Sequence, residues 1–439
     1  MRRNFGKRGV MSLENEDTNP PVDGGEELGA AEQSLETDLV EIAEDGAEAD
    51  TEDAEIEEAV DTAEALEALA EDLKVIAQEA GGLNSHTAQA IGRVASHLYG
   101  RLGYEHQSMP AMESFGSTSG RVGSTTIGLE DIKDQVKKIW EQIVAQIKKS
   151  IEWVKNFFTK MFGAANKLEK RAKALASRAE SSTGGAGKPI ENERLAKALH
   201  IGGAVPASIS AKVADMKKLA DGVFAANRVK LGEDIASALE NGSAEEMGKV
   251  SDDTNIPGTE KVANPEAEGF TAPNAGMAIY RSGELPGGMA VIGIGIDANA
   301  TPEQARDALG RMTARVSAYK PSAKAEAKKE LPALAPAEAG KVAEIVAEIA
   351  IVLQGYKASL DKLSKAKDRI IKAAEKLGRA AATEQDEQKK GDQKDMQRLA
   401  ASSARLLDQP ATDYCRYSLQ TGTALLNYVE LSLKASEAK

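Results

Sequence analysis

LEDIKDQVKKIWEQIVAQIKKSIEWVKNFFTKMF, residues 129–162, indicates a fold built from helices. Its large apolar residues recur every three or four positions, at Ile132, Val136, Ile139, Ile143, Ile147, Ile151, Val154, Phe158 and Met161. They span 29 positions in 8 steps, which is about 3.6 residues per step, the period of an α-helix. The stretch therefore predicts one long helix with a continuous apolar side, which Trp140 and Trp153 widen.

The opposite side of the predicted helix is strongly basic. Between Lys133 and Arg178 the chain has 12 Lys and Arg against 4 Asp and Glu. The candidate DNA-facing residues are Lys133, Lys137, Lys148, Lys155, Lys167, Lys170 and Arg171. Three interpretations stay open: the lysines form the solvated face of a core helix, they lie along phosphates, or the helix lies in a membrane interface.

The composition of the whole chain also favours helices. Only 4% of the residues are aromatic, so Ala, Leu, Ile and Val must supply most of the buried surface, as in helices packed on helices. Two segments, 277–281 and 289–296, have the pattern of strands joined by a turn. The predicted fold is mainly α, a multi-helix bundle with one small β-hairpin, preceded by a largely disordered acidic N-terminal region.

The net charge of the chain reverses near residues 110–116, PAMESFG. Residues 1–113 contain 7 Lys and Arg against 27 Asp and Glu, a net charge of −20, whereas the rest contains 48 against 42, a net charge of +6. The overall charge of −14 hides this contrast. Nucleic acid is therefore an allowed partner of the larger piece, although the acidity of the whole chain argues against it.

Composition and periodicity divide the chain into six regions. Residues 12–54 have too little apolar surface to offset the entropy of ordering them, whereas apolar steps of three or four residues from Ile56 to Ile76 predict an acidic helix. Ser, Gly and Thr after Glu113 predict an accessible linker. The predicted regions are 1–55, disordered and acidic; 56–113, acidic and helical; 114–128, a flexible linker; 129–241, basic and helical; 242–300, a loop with the β-hairpin; and 301–439, helical.

The cysteine and histidine content excludes the common metal and disulfide sites. Cys415 is the only cysteine, so a disulfide framework and a thiolate zinc cluster are both excluded. We expect its side chain to be buried on a C-terminal helix. Three of the four histidines, His86, His97 and His106, lack the spacing that places two imidazoles on one helical face. No metal site is predicted.

Two glycine-rich segments resemble nucleotide-binding loops without meeting their requirements. Residues 184–188 lack the first Gly and the final Ser or Thr of a phosphate-binding loop, and Gly293-x-Gly295 lacks the repeated βαβ units of a dinucleotide fold. No Ser/His/Asp set or paired carboxylates stand out. We therefore expect a protein that is not an enzyme and has no cofactor.

No apolar run approaches the roughly 18 residues of a membrane-spanning helix. Basic residues at positions 2–8 are followed by no apolar region, so they do not begin a secretory signal. We expect a soluble protein.

At residues 111–116, AMESFG, the chain resembles the internal head (inner-body) proteins of very large tailed bacteriophages of the phiKZ type. Those proteins carry an N-terminal propeptide that a prohead protease removes after a small residue, any residue and Glu. The resemblance implies that Ala111 is the small residue, Met112 the variable one and Glu113 the residue whose carbonyl is attacked. Ser114 becomes the new N-terminus.

The resemblance implies a virion structural protein of the capsid interior, synthesised in the host cytoplasm. The acidic helical region, 56–113, is then a propeptide that the prohead protease removes. The implied partners of the mature part are packaged double-stranded DNA, bound non-specifically, and other internal head or capsid proteins. Leu285-Pro286-Gly287-Gly288 in the hairpin is similar to a recurring element of the same proteins.

Two further observations bear on this hypothesis. Ser34-Leu35-Glu36 and Gly128-Leu129-Glu130 also fit the cleavage motif, so Glu36 and Glu130 are secondary candidate sites. The alternative hypothesis is a membrane-active amphipathic helical protein, ejected into the host, whose helix over 132–162 enters a lipid interface.

Overall fold

The computed structural model describes residues 26–104, 110, 112–225, 227–242, 246, 250, 256–271, 273–301, 304–305, 308, 311–322, 329–384 and 386–437. Helices make up 71% of the structure, which confirms the predicted mainly α fold. The α-helices are α1 (Glu26–Glu79), α2 (Ser85–Arg101), α3 (Thr118–Ser181), α4 (Glu193–Leu199), α5 (Ser210–Val223), α6 (Asn227–Asn241), α7 (Pro336–Gly355), α8 (Lys357–Thr383), α9 (Glu387–Leu406) and α10 (Gln409–Glu437).

Helix α3 is the element around which the long helices pack. All nine residues of its predicted apolar stripe are at most 7% exposed, so the stripe faces the core as its period indicates. With 64 residues, α3 is about 96 Å long at 1.5 Å per residue. Helices α1, α7, α8 and α10 all contact it.

Helices α7 and α8 run antiparallel to α3. Near the end of α7, the amide Nε2 of Gln354 donates to Glu169 Oε2 at 2.7 Å. On α8, Glu375 Oε1 lies 2.5 Å from Lys148 Nζ. The residue number rises from α7 to α8 while it falls along α3. The two helices together therefore follow the second half of α3 back towards its middle.

Helix α10 runs parallel to the C-terminal half of α3. Glu430 Oε2 lies 2.9 Å from Arg171 Nη2. Seven residues further along both helices, Glu437 Oε2 lies 2.6 Å from Arg178 Nη2. Pro410 stands at the start of α10, where the missing N–H of proline costs no helical hydrogen bond. The C-terminal half of α3 is therefore enclosed by α1, α7 and α10.

The β-structure is larger than the predicted hairpin. Four strands form an antiparallel sheet in the order β2-β3-β4-β5, and β1 pairs with β6. The strands are β1 (Ile190–Glu191), β2 (Glu260–Lys261), β3 (Met277–Arg281), β4 (Met289–Ile296), β5 (Thr313–Ala318) and β6 (Glu330–Leu331). The hairpin β3–β4 is confirmed, and β5 adds a strand within the region 301–439, which the sequence predicts to be helical. Val316 of β5 lies opposite Val291, a cross-strand pair that short sequence windows do not reveal.

The turn between β3 and β4, Leu285–Gly288, docks the sheet onto the helices. Gly287 and Gly288 have φ values of 78° and 63°, a region that residues with a Cβ rarely enter. The hydroxyl of Tyr417 on α10 donates to the carbonyl oxygen of Pro286 at 2.9 Å. The backbone N–H of Gly288 donates to the His200 carbonyl oxygen at 3.0 Å, just after α4.

The glycines of the predicted nucleotide-like motif lie inside strand β4. Gly293 and Gly295 pair with residues of β3, and Gly293 also pairs with Ala314 of β5. They line a cavity of about 20 Å³ beside Arg228, which is room for about one water molecule. Arg228 is 3% exposed, and burial lowers its pKa to about 10. It is therefore still a cation at neutral pH.

The predicted disorder of residues 1–55 is wrong for residues 35–55, where α1 packs apolar side chains into the core. Residues 1–25 lie outside the described part of the chain. Leu35, Leu39 and Ile42 are at most 7% exposed, so the early part of α1 buries apolar side chains despite its acidity. The sequence pattern missed these contacts because apolar residues are sparse in this part of α1 and the residues they pack against are far away in the sequence.

The predicted flexible linker, 114–128, is also wrong, because α3 begins at Thr118. Ser117 caps the helix, its Oγ accepting from the N–H of Gly120 at 3.1 Å, as N-cap serines do. Thr125 Oγ1 accepts from the N–H of Leu83 at 2.8 Å. Packing against the turn after α1 thus overrides the low helix propensity of Ser, Gly and Thr.

Candidate functional site

Helix α1 lies antiparallel along α3 in a constant register. Asp38 contacts Lys167, and Glu67 contacts Trp140. As the residue number rises along α1, it falls by nearly the same amount along α3. Buried apolar residues lie along α1 on both sides of Glu67, in the same core as the stripe of α3: Leu39, Ile42, Ile56, Ala59, Ala63, Leu66, Ala70 and Leu73.

Acidic residues of α1 neutralise lysines in the second half of α3. Lys160 Nζ lies 2.9 Å from Asp45 Oδ2 and 3.6 Å from Glu41 Oε2, and Lys167 Nζ lies 2.7 Å from Asp38 Oδ2. The hydrogen bond to Asp45 is the main cause that raises the pKa of Lys160. Since these side chains are partly exposed, each pair adds little stability. Their main effect is to cancel charge on α3.

Among the described side chains of α1, Glu67 is the most enclosed acidic contact with the rest of the chain. Its side chain is 8% exposed, and its Oε1 accepts from the indole Nε1 of Trp140 at 3.0 Å. Its Oε2 accepts from Nη2 of Arg398 on α9, and Lys394 Nζ lies 3.9 Å away. One carboxylate thus joins α1 to α3 and α9.

Five of the seven candidate DNA-facing residues lie at the surface of α3: Lys133, Lys137, Lys148, Lys155 and Lys170. Lys148 and Lys155 have acidic neighbours, since Lys148 Nζ is 2.5 Å from Glu375 Oε1 and Lys155 Nζ is 3.2 Å from Glu152 Oε1. Exposed pairs of this kind are weak, so a polyanion can replace the carboxylate.

The remaining two candidates pair with carboxylates of other helices. Lys167 Nζ lies 2.7 Å from Asp38 Oδ2 of α1, and its side chain is 35% exposed. Arg171 is 7% exposed and pairs with Glu430 of α10 at 2.9 Å, so the prediction that it faces DNA is wrong. Periodicity within α3 gives no information about which side α10 covers. It also missed Arg398, because nothing near residue 398 indicates a contact with α1.

The candidate cleavage bond, Glu113–Ser114, lies in a single 3₁₀ turn, Met112–Phe115, between α2 and α3. Ala111 lies outside the described residues. Ser114 is exposed, whereas Phe115 is 1% exposed. The guanidinium Nε of Arg121 donates to the Phe115 carbonyl oxygen at 3.0 Å. The turn is therefore open to solvent at Ser114 and anchored at Phe115.

The two secondary candidate sites lie inside long helices. Glu36 follows Leu35 in α1, which is 1% exposed, and Glu130 follows Leu129 in α3, which is 8% exposed. A protease needs extended and accessible backbone, so a cut there requires several helical turns to unwind. Of these three candidate bonds, only the one after Glu113 lies outside a long helix.

We expect Phe115→Ala to speed cleavage after Glu113 by about 10-fold or more. Truncating a buried Phe costs about 3–5 kcal/mol, and part of this loss lowers the free energy of opening the turn. Limited digestion of the folded chain with a Glu-specific protease, followed by mass spectrometry of the Ser114 end, measures the rate. Val122→Ala, at a position that is 39% exposed, is the control. An unchanged rate for Phe115→Ala would show that the bond is already accessible.

Other predicted features have plain structural positions. His86 and His97 are exposed, and His106 lies outside the described residues. Cys415 is buried on α10, as predicted, and burial raises the pKa of its thiol. Within the described ranges, no group of His, Cys, Asp and Glu could hold a metal ion, and no helix is long and apolar enough to cross a membrane.

Long helices arranged around one central helix define a mainly α-helical protein. A family model for phiKZ-like phage internal head proteins matches residues 34–431. The chain belongs to this family, which confirms the predicted family and locates the protein inside the phage head. The match runs from α1 to α10, across the candidate cleavage bond. No curated protein and no solved structure matches the chain.

Proposed function

We propose that the chain is a non-catalytic structural protein of the head interior, synthesised in the host cytoplasm as a precursor. The prohead protease removes residues 1–113 by cutting between Glu113 and Ser114. The body that remains binds packaged double-stranded DNA without sequence preference, or other internal head and capsid proteins. The contact of the acidic α1 with the basic α3 is the observation that carries this proposal.

The charges of the two pieces support DNA binding by the body alone. Loss of residues 1–113 changes the net charge from −14 to +6. It also removes the carboxylates of Asp45 and Asp38 from Lys160 and Lys167. These lysines then join the five that lie at the surface of α3. Affinity for duplex DNA rises with the number of phosphates that such lysines neutralise.

The position of the candidate bond supports a precursor role. The 3₁₀ turn lies after the acidic helix α1 and after α2, and immediately before α3. A cut at this place breaks the covalent link between α1 and α3 and leaves the whole of α3 with the body. The same cut at Glu130 would divide α3 itself.

The N-terminus of the protein in mature particles tests the proposal. We expect mass spectrometry of virion protein to find a chain that starts at Ser114. Heads assembled with an inactivated prohead protease are the control, and they should contain the chain with residues 26–113 still attached. A virion chain in which these residues are still covalently joined to Ser114 would refute processing at Glu113.

The apolar side of α3 is already occupied, which gives no support to the alternative membrane-active function. Trp140 is 6% exposed and donates to Glu67. Trp153 is half-buried, and its ring stacks on Phe157 with centroids 5.2 Å apart. A lipid interface would need these side chains at the surface.

A further inference from the structure

We infer that the cut after Glu113 does not release the N-terminal segment, and that residues before the cut stay bound along α3 as a separate chain. The inference rests on the proposed function for its biological setting, but the contacts that carry it are independent of which protease makes the cut. The partner is thus the excised acidic helix itself, and the surface is the side of α3 and α9 that it covers.

The apolar contact between α1 and α3 extends over most of α1. Leu39, near its beginning, and Leu73, near its end, are 7% and 0% exposed. Between them Ile42, Ala63 and Leu66 are completely buried. Burial of such side chains holds two helices together far more strongly than exposed ion pairs do. The covalent link at residue 113 adds nothing to these contacts.

Polar contacts also join the two sides of the cut at the far end of α1. The N–H of Leu83 donates to Thr125 Oγ1 at 2.8 Å, a buried hydrogen bond. Glu67 accepts from Trp140 and Arg398 in the middle of the contact. If the segment left, the buried indole N–H and guanidinium would lose this acceptor. Such a loss is unfavourable for groups that are not fully solvated.

The cut therefore changes the contact from a tethered one into an association that depends on concentration. A second cut after Glu36, the secondary candidate site in α1, does not uncover the lysines of α3. Asp38, Asp45 and Glu67 all follow Glu36 and stay in the bound segment. The DNA-facing surface is thus uncovered in two steps: the bond is cut first, and the segment is then unfolded or degraded.

The test uses the full chain with a sequence-specific protease site inserted between Tyr104 and Pro110. After quantitative cutting of the folded protein, size-exclusion chromatography is run at about 0.15 M and at about 1 M NaCl. At the higher concentration the screening length is about 3 Å, so surface ion pairs are weak. We expect the two fragments to elute together at both salt concentrations. Separate elution at either concentration would overturn the inference.

Two neighbouring substitutions on α1 provide a matched pair. Leu73→Asp places a carboxylate at a position that is 0% exposed, whereas Val75→Asp places it at one that is 51% exposed. After the cut, we expect Leu73→Asp to weaken retention by about 100-fold or more and Val75→Asp to leave it unchanged. Circular dichroism of both uncut variants checks that they are folded. Equal retention of both would overturn the role of the apolar stripe.

The two ideas fail in different experiments. A virion protein that does not start at Ser114 refutes processing and leaves the engineered-cut result standing. Separation of the engineered fragments refutes retention and leaves the N-terminus of the virion form unaffected.

Discussion

The body freed from residues 1–113 is expected to bind duplex DNA about 100-fold more tightly than the full chain at low salt. The reason is the change in net charge from −14 to +6, together with the release of Lys160 and Lys167 from their carboxylate partners. Fluorescence anisotropy with a labelled duplex measures both affinities. The cut Leu73→Asp protein, from which the segment is expected to dissociate, supplies the free body.

The salt dependence of this binding identifies the surface that is used. Each lysine that neutralises a phosphate contributes about 0.9 to the slope of log affinity against log salt. We therefore expect Lys160→Gln with Lys167→Gln to reduce the slope by about 1.8. Lys197→Gln, an exposed lysine on α4, should not change it. Equal affinities of the full chain and the free body would remove the proposed masking by α1.

Gly287→Ala and Gly288→Ala are each expected to destabilise the protein by about 2–4 kcal/mol. A left-handed conformation costs a residue with a Cβ about 1–2 kcal/mol, and both glycines have positive φ values. A Cβ on Gly287 would lie 2.9 Å from the Ala198 carbonyl oxygen, and one on Gly288 would lie 2.6 Å from the His200 ring. The turn would have to withdraw from α4.

Gly283→Ala is the control for these substitutions. Gly283 lies in the same connection between β3 and β4, has no atom within 4 Å of a built Cβ, and does not have a positive φ. Its thermal midpoint should stay close to that of the wild type, while Gly287→Ala and Gly288→Ala melt several degrees lower. Similar midpoints for all three variants would show that the turn does not dock the sheet onto the helices.

The sequence predicted the elements whose apolar residues repeat with a clear period. The stripe from Ile132 to Met161 is buried as expected, because nine residues at helical spacing leave one consistent face. The strands β3 and β4 were also predicted, since aliphatic residues flank a turn rich in Gly and Pro. In these cases the local pattern and the tertiary contacts agree.

The predictions failed where tertiary contacts outweigh local preference. Residues 114–128 have low helix propensity, yet Thr125 bonds to Leu83 and the segment continues α3. Arg171 follows the basic pattern of α3, but α10 covers it and supplies Glu430. The opposite net charges on the two sides of residue 113 do not indicate a register between α1 and α3, because many alignments of acidic and basic residues have similar energies.

The pairing of α1 with α3 also matters during synthesis. The ribosome makes α1 and α2 before α3, whereas α7 begins about 150 residues after α3 ends, a delay of roughly 8–30 s at ~5–20 residues/s. During that time α1 is the long helix already available to cover the apolar stripe of α3. The acidic segment can thus act as a chaperone within its own chain, protecting nascent α3 from aggregation until the C-terminal helices arrive.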